Sequence, residues 1–169
     1  VCTMKHFLII LVNLMMMSAV TAKNYTVVVG TYTRNTYSKG IYTLRINPED
    51  KTYQVLDTAS NVENPSFLSL QGDLLYSVGE GSGSGSVNAF QLDRKTGRLK
   101  FINTLSAEGK GPCSVVASQQ HVMIANYGSG NVNVFSLNSD GSLNQLVQNI
   151  QHLGGSVNPD RQKGPHAHQ

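Results

Sequence analysis

The sequence predicts an all-β chain of repeated four-stranded units, the architecture of β-propeller blades. Three observations predict it. A stretch of alternating apolar and polar residues opens on Gly40, Gly85 and Gly130, so the spacing is 45 residues twice over. Each copy is followed by a turn rich in Asp, Asn, Gly or Pro, and then by another short apolar run. No helical periodicity of useful length appears after residue 22. Alternation with period 2 marks a half-buried strand. Four short strands over about 45 residues is the period of a propeller blade.

The elements follow in order. Tyr25–Val29, Gly40–Asn47 and Tyr53–Thr58 form a first, three-stranded group with no Pro-led strand before it. Asn64–Leu70, Leu74–Val78, Gly85–Asp93 and Leu99–Leu105 form the next unit, and Gly111–Ala117, Val122–Ala125, Gly130–Asn138 and Leu143–Ile150 the one after. Both full units open on a Pro (Pro65, Pro112), which is tolerated at the start of a strand because it need not donate to the ladder there. Gly164-Pro165-His-Ala-His168 reads as the opening strand of a further unit, the innermost of its blade by analogy with the repeat. About three blades are therefore expected. A closed propeller needs at least four, and an open stack leaves unpaired edges. Residues 23–169 are expected to be the N-terminal part of a larger ring.

The first 22 residues read differently. From Met4, Lys5 and His6 form a short positive segment, Phe7–Met17 an apolar run of eleven residues, and Ser18–Ala22 a small-residue stretch suited to cleavage after Ala22. This is the pattern of a secretory signal peptide. The run is shorter than the roughly 20 apolar residues needed to cross a bilayer. The mature chain is thus expected to be exported, periplasmic or secreted, without a membrane span.

Composition excludes several classes. Charged residues are 14% of the chain, against about 25% in an average globular protein, which rules out a coiled coil or a charged disordered tail. A net charge of +3 without a basic cluster gives no footprint for nucleic acid. Two cysteines, Cys2 and Cys113, exclude a disulfide framework and a four-cysteine zinc site. Cys113 lacks a visible base and reads as a buried structural cysteine. The run Gly81-Ser-Gly-Ser-Gly85 lacks the Lys and helix of a phosphate loop and reads as a hairpin loop. Asn24-Tyr-Thr26 matches the N-glycosylation triplet, which matters only in a secreted eukaryotic product.

Several stretches in order carry a resemblance. They are Val29-Gly-Thr-Tyr-Thr33 with Ser38-Lys-Gly-Ile-Tyr42, Asn64-Pro-Ser-Phe-Leu68, Leu75-Tyr-Ser-Val-Gly-Glu80, Gly111-Pro-Cys113, Ala125-Asn-Tyr-Gly-Ser-Gly130 and Asn158-Pro-Asp-Arg-Gln-Lys-Gly-Pro-His-Ala-His168. Together they resemble the seven-bladed propeller lactonases of the 6-phosphogluconolactonase type, which are related to carboxymuconate-lactonizing enzymes. The resemblance implies a seven-bladed ring, a monomer, no cofactor and a small sugar lactone as substrate. It implies a catalytic histidine in the last motif, matched here by Arg161, Gln162, Pro165, His166 and His168, with Arg and Glu groups from later blades. The chain departs from the family pattern at Ser114, where a His is usual, and in its leader, since the best-known members act on cytosolic sugar phosphates.

Lactone hydrolysis needs a base to activate water, and His is the usual group near neutral pH. His166 and His168 stand at i and i+2, on one face if the segment is extended. Either is a candidate acid–base group, or both only bridge waters or cap the blade. Arg161 suits a carboxylate or phosphate of the substrate, with Gln162 beside it. Glu80 and Asn126, with Tyr127, end the second strands of successive units, as substrate-contacting groups on the rim or as turn residues. His-x-His can bind zinc or copper, but no carboxylate or thiol cluster accompanies it, so no metal is expected. The expected function is hydrolysis of a sugar-acid lactone. The alternatives are a non-catalytic envelope propeller binding a glycan or protein, and a cycloisomerase forming a lactone. These 169 residues alone are expected to be inactive, because the ring is open.

Overall fold

The computed structural model describes residues 23–169; the leader read at residues 1–22 lies outside them. Eleven strands form three antiparallel sheets. The first holds β1 (Tyr25–Val29), β2 (Ile41–Asn47) and β3 (Thr52–Ala59). The second holds β4 (Leu68–Gln71), β5 (Leu74–Gly79), β6 (Ser86–Leu92) and β7 (Leu99–Ser106). The third holds β8 (Pro112–Ala117), β9 (His121–Asn126), β10 (Asn131–Leu137) and β11 (Leu143–Gln151). Each sheet runs in sequence order, a simple meander, as four-stranded blades do.

The repeat is visible in the register. Gly79 pairs with Ser86 and Asn126 with Asn131, at the same point of successive sheets. The last two strands of every sheet carry a register shift near the middle (Thr43/Leu44, Ala89/Phe90, Val134/Phe135). Such bulges increase the local twist.

The alternating side chains become the core between sheets. Tyr76, Val78, Val87 and Ala89 of the second sheet pack on Val115, Val122, Ile124, Phe135 and Leu143 of the third. Ile41 and Val62 pack on Leu75 and Phe90 at the other seam. The second and third sheets sit closest along β4, β5 and β8 and touch more sparsely at β7 and β11, so they fan out from a common edge. The Pro-led strands lie at that edge.

Two expectations need correction. The strand expected from Asn64 begins only at Leu68. Asn64 has φ +46°, a left-handed conformation Asn tolerates, and Ser66 N–H donates to its carbonyl at 2.8 Å, so the first residues turn instead of pairing. Gly164–His168 is not a strand either. A Pro-led strand pairs only with the second strand of its own sheet, and none of the described strands offers that ladder. The segment packs against the third sheet, with Pro165 against Gly130.

Candidate functional site

The site is built by the repeat. Each Pro is followed by the same position of the sequence repeat: Ser66, Cys113 and His166. Each second strand is followed by another: Glu80 after β5 and Tyr127 after β9. The two positions are tied together by the backbone. Glu80 N–H donates to the Asn64 carbonyl at 3.2 Å, and Tyr127 N–H to the Gly111 carbonyl at 2.9 Å. Side chains at both positions therefore converge on one rim.

Three of the expected residues meet at Tyr127. The His166 ring stacks on the Tyr127 ring, with centroids 4.4 Å apart and planes 18° apart. His168 meets the same ring edge-on at 5.9 Å. Arg161 donates from Nη2 to the Tyr127 hydroxyl at 3.2 Å. His166 is held further: Nδ1 lies 2.8 Å from the Tyr127 carbonyl and Nε2 3.1 Å from the Arg161 carbonyl. A neutral imidazole has one N–H and one lone pair. The two carbonyls between them occupy both ring nitrogens. Among the described residues, no side-chain hydrogen bond engages the ring of His168.

The loop feeding this segment closes on itself. The Asn158 side-chain oxygen accepts from the N–H groups of Asp160 at 2.9 Å and Arg161 at 3.2 Å, as Asn does in turns. Gln162 is part of this closure. Its side-chain oxygen accepts from Asn158 N–H at 3.1 Å. The loop and the His segment flank a cleft of about 410 Å³ lined by Arg161, Gln162 and His166. A second, of about 280 Å³, is lined by His152, His166 and His168. His166 stands between the two.

Asn126 lies elsewhere. It is fully buried in the seam between the second and third sheets. Its amide donates to the Ala107 carbonyl at 3.2 Å, beside Asn131 and Asn133, which donate to the Glu108 carbonyl at 3.1 Å each. Its own side-chain oxygen has no protein partner.

Glu80 anchors a neighbouring cluster. Its carboxylate accepts from the Tyr32 hydroxyl at 3.0 Å and from the Ser66 hydroxyl. The hydrogen bond to Glu80, with burial, pushes the Tyr32 phenol up from its ordinary value. Burial, and then the Glu80 charge, push the Cys113 thiol up. Cys113 is half-buried rather than sealed in the core. Its sulfur lies 3.6 Å and 3.4 Å from the carbonyls of Ala167 and His168. The thiol thus lies against the backbone of the His segment. Tyr32 and Ser66 were not singled out by pattern; aligning the repeats on their Pro residues would have pointed to Ser66.

A larger cleft, of about 490 Å³, lies away from these groups along the unpaired edge of β1, lined mainly by Val28, Leu68, Leu70, Leu75 and Leu92. It is an apolar gap with one charged neighbour, Arg94, and it offers no acid–base chemistry. Among the described residues, no three His, Cys, Asp or Glu side chains stand close enough to hold a metal ion.

A family model described as a lactonase with a 7-bladed β-propeller matches residues 26–169. The chain belongs to the seven-bladed β-propeller lactonase family. Among this family's proteins, the 6-phosphogluconolactonase of Bacillus subtilis (strain 168) is 37% identical over 144 residues, 83% of this chain and 41% of its own length. The crystal structure of a candidate 6-phosphogluconolactonase from Bacteroides fragilis superposes with a TM-score of 0.80 at 36% identity, covering 88% of this chain and 42% of the other. The periplasmic gluconolactonase of Pseudomonas aeruginosa superposes with a TM-score of 0.74 at 30% identity, covering 81% and 41%. The chain thus spans about two-fifths of the length of these lactonase relatives.

Proposed function

We propose that the protein hydrolyses a sugar-acid lactone, as a 6-phosphogluconolactonase does, at the rim formed by Tyr127 and the segment Arg161–His168. The observation that carries this reading is the convergence of Arg161, His166 and His168 on one aromatic ring beside two open clefts. Water attacks the lactone carbonyl carbon as a histidine nitrogen takes its proton. The ring C–O bond breaks, and the proton passes to the departing alkoxide oxygen. The product is the open hydroxy acid. Arg161 is on an exposed loop and its guanidinium suits a substrate carboxylate or phosphate. The names of the Bacillus and Bacteroides relatives support a sugar-acid lactone as substrate.

The leader at residues 1–22 supports export, and the periplasmic relative from Pseudomonas supports a lactonase working there. The leader and Ser114 favour a second reading, a non-catalytic propeller that binds a glycan or protein in the envelope. The test is acid release from 6-phosphogluconolactone and gluconolactone by the intact protein, beside Arg161→Ala, His166→Ala and His168→Ala. A loss of about 10² in rate in a histidine variant, the scale of a general acid–base group, supports the enzyme. Background hydrolysis by the wild type supports the binding propeller.

A further inference from the structure

Glu80 receives two hydroxyl donors on one oxygen. The Tyr32 hydroxyl donates to Oε1 at 3.0 Å, and the Ser66 hydroxyl donates to the same atom. We propose that Glu80 is a specificity-determining residue whose other oxygen accepts from the ring hydroxyls of the lactone, and that Tyr32, Ser66 and Asn64 are positioning residues that hold it for that role. The proposal rests on the lactonase reading above and narrows its substrate class to polyhydroxylated lactones.

One side chain fastens the backbone around Glu80. Asn64 is buried. Its carbonyl accepts from Glu80 N–H at 3.2 Å, and its side-chain amide donates to the Glu80 carbonyl at 3.0 Å. Its side-chain oxygen accepts from the N–H groups of Thr33 at 2.8 Å and Arg34 at 2.9 Å. Asn64 thus joins the end of β5, which carries Glu80, to the loop that carries Tyr32. Ser66 belongs to the turn that Asn64 opens.

An ionised carboxylate has about four lone-pair sites on its two oxygens. The two hydroxyls fill those of Oε1 and fix the orientation of the group. Among the described residues, no hydrogen bond engages Oε2. Glu80 belongs to the middle sheet, so both of its neighbouring sheets are among the described ones. The carboxylate is only partly buried and Tyr32 is 56% exposed, so a ligand can reach both. The hydrogen bond to Glu80 raises the Tyr32 phenol, which keeps it a donor at neutral pH.

The charge also gives the rim a direction. A carboxylate repels a substrate phosphate or carboxylate and binds hydroxyl donors strongly. The Arg161 guanidinium has the opposite preference. Glu80 follows β5, and Tyr127, whose hydroxyl accepts from Arg161, follows β9, at equivalent points of neighbouring sheets. The hydroxyl-bearing end of the substrate is therefore placed toward Glu80 and its anionic end toward Arg161.

The test compares two substrates in one preparation of the intact protein. Gluconolactone carries hydroxyls around its ring; δ-valerolactone is the same ring without them. Glu80→Ala is expected to lower the preference for gluconolactone, the ratio of the two kcat/KM values, by about 10- to 100-fold, the scale of a hydrogen bond to a charged group. The ratio cancels the fraction of protein that is folded, so a loss of fold does not imitate the effect. Tyr32→Phe and Ser66→Ala keep the carboxylate and remove one donor each. Each is expected to lower the ratio by roughly 3-fold, through the KM for gluconolactone rather than kcat. Equal kcat/KM for the two lactones in the wild type, or an unchanged ratio in Glu80→Ala, overturns the hydroxyl assignment. A ratio unchanged in both Tyr32→Phe and Ser66→Ala overturns their positioning role. Calorimetric titration with gluconate and with hexanoate, an acid of the same length without hydroxyls, reads recognition without turnover. Gluconate is expected to bind the wild type at least about 10-fold more tightly than hexanoate and to lose that margin in Glu80→Ala. A wild type that opens neither lactone overturns the lactonase reading. Gluconate binding that still depends on Glu80 then upholds the hydroxyl site, and gluconate binding indifferent to Glu80→Ala overturns it as well.

Discussion

Asn103 pairs with the backbone of Leu143 as if it were a strand residue. Its amide donates to the Leu143 carbonyl at 2.7 Å and its side-chain oxygen accepts from Leu143 N–H at 3.0 Å. Asn103 belongs to β7 and Leu143 to β11, so one side chain completes a two-way ladder between adjacent sheets at their outer edge. Leu143 is 2% exposed. Asn103→Ala is expected to lower stability by about 1–3 kcal/mol, because two buried backbone groups lose their partners. Urea unfolding of the variant checks this; an unchanged midpoint would remove the contact from the account of how the sheets are held.

Tyr76 makes the second such link. Its buried hydroxyl donates to the Gly141 carbonyl at 2.8 Å, in the turn before β11. Burial, and then the Asp140 charge, push its phenol up to about 12. A group raised in the folded state keeps its proton there after the unfolded chain has lost it. Its contribution is therefore complete below pH 10 and is lost as pH rises toward 12. Two units correspond to roughly 2–3 kcal/mol. Tyr76→Phe is expected to be less stable than wild type at pH 8 and to lose less stability between pH 10 and 12. Urea midpoints across that range test it, and parallel curves for the two proteins would refute it.

The charge of Glu80 opposes ionisation of Cys113. Thiolate is the reactive species, and the Glu80 carboxylate is the second cause, after burial, of the raised thiol. Glu80→Gln is expected to speed alkylation of Cys113 by iodoacetamide at pH 8 by a factor of roughly 2 to 3. Mass spectrometry of the Cys113 peptide over time gives the rate. A rate no faster than that of the wild type would show that the Glu80 charge does not hold back ionisation of the thiol.

Gly130 seats the segment that carries the two histidines. It has φ +68°, and a Cβ there would stand 2.3 Å from the Pro165 carbonyl oxygen. Gly130→Ala meets both a strained backbone, which costs about 1 kcal/mol, and a clash with main chain that cannot rotate away. Pro165 must then move, and His166 with it. Trypsin is expected to cut after Lys163 faster in the variant, with the His166 resonances shifted. Wild-type cleavage kinetics would show that the segment is held by other contacts.

The sheets were legible in advance because a strand's pattern is local. Apolar alternation, Gly and Pro punctuation and the recurrence of 45 residues lie within short windows, and eleven of the twelve expected strands appear with ends shifted by a few residues at most. The sequence by itself also determined the membership of the chain in the lactonase family, since ordered motifs from Val29 to His168 carry it. Only the tertiary structure decided which polar residues face what. Asn126 and Tyr127 are neighbours, yet one is sealed in the seam and the other gathers Arg161, His166 and His168. Nothing local distinguishes them; what does is the carbonyl of Ala107, 19 residues away from Asn126, and a ring 39 residues away from Tyr127. Gln162 likewise carries the right group for a substrate but holds its own loop. The two histidines are alike by spacing and unlike by surroundings, because hydrogen-bond capacity is settled by whatever the fold brings to each nitrogen. The segment Gly164–His168 follows the same rule: its pattern is that of a strand, but a strand exists only where a ladder partner stands beside it.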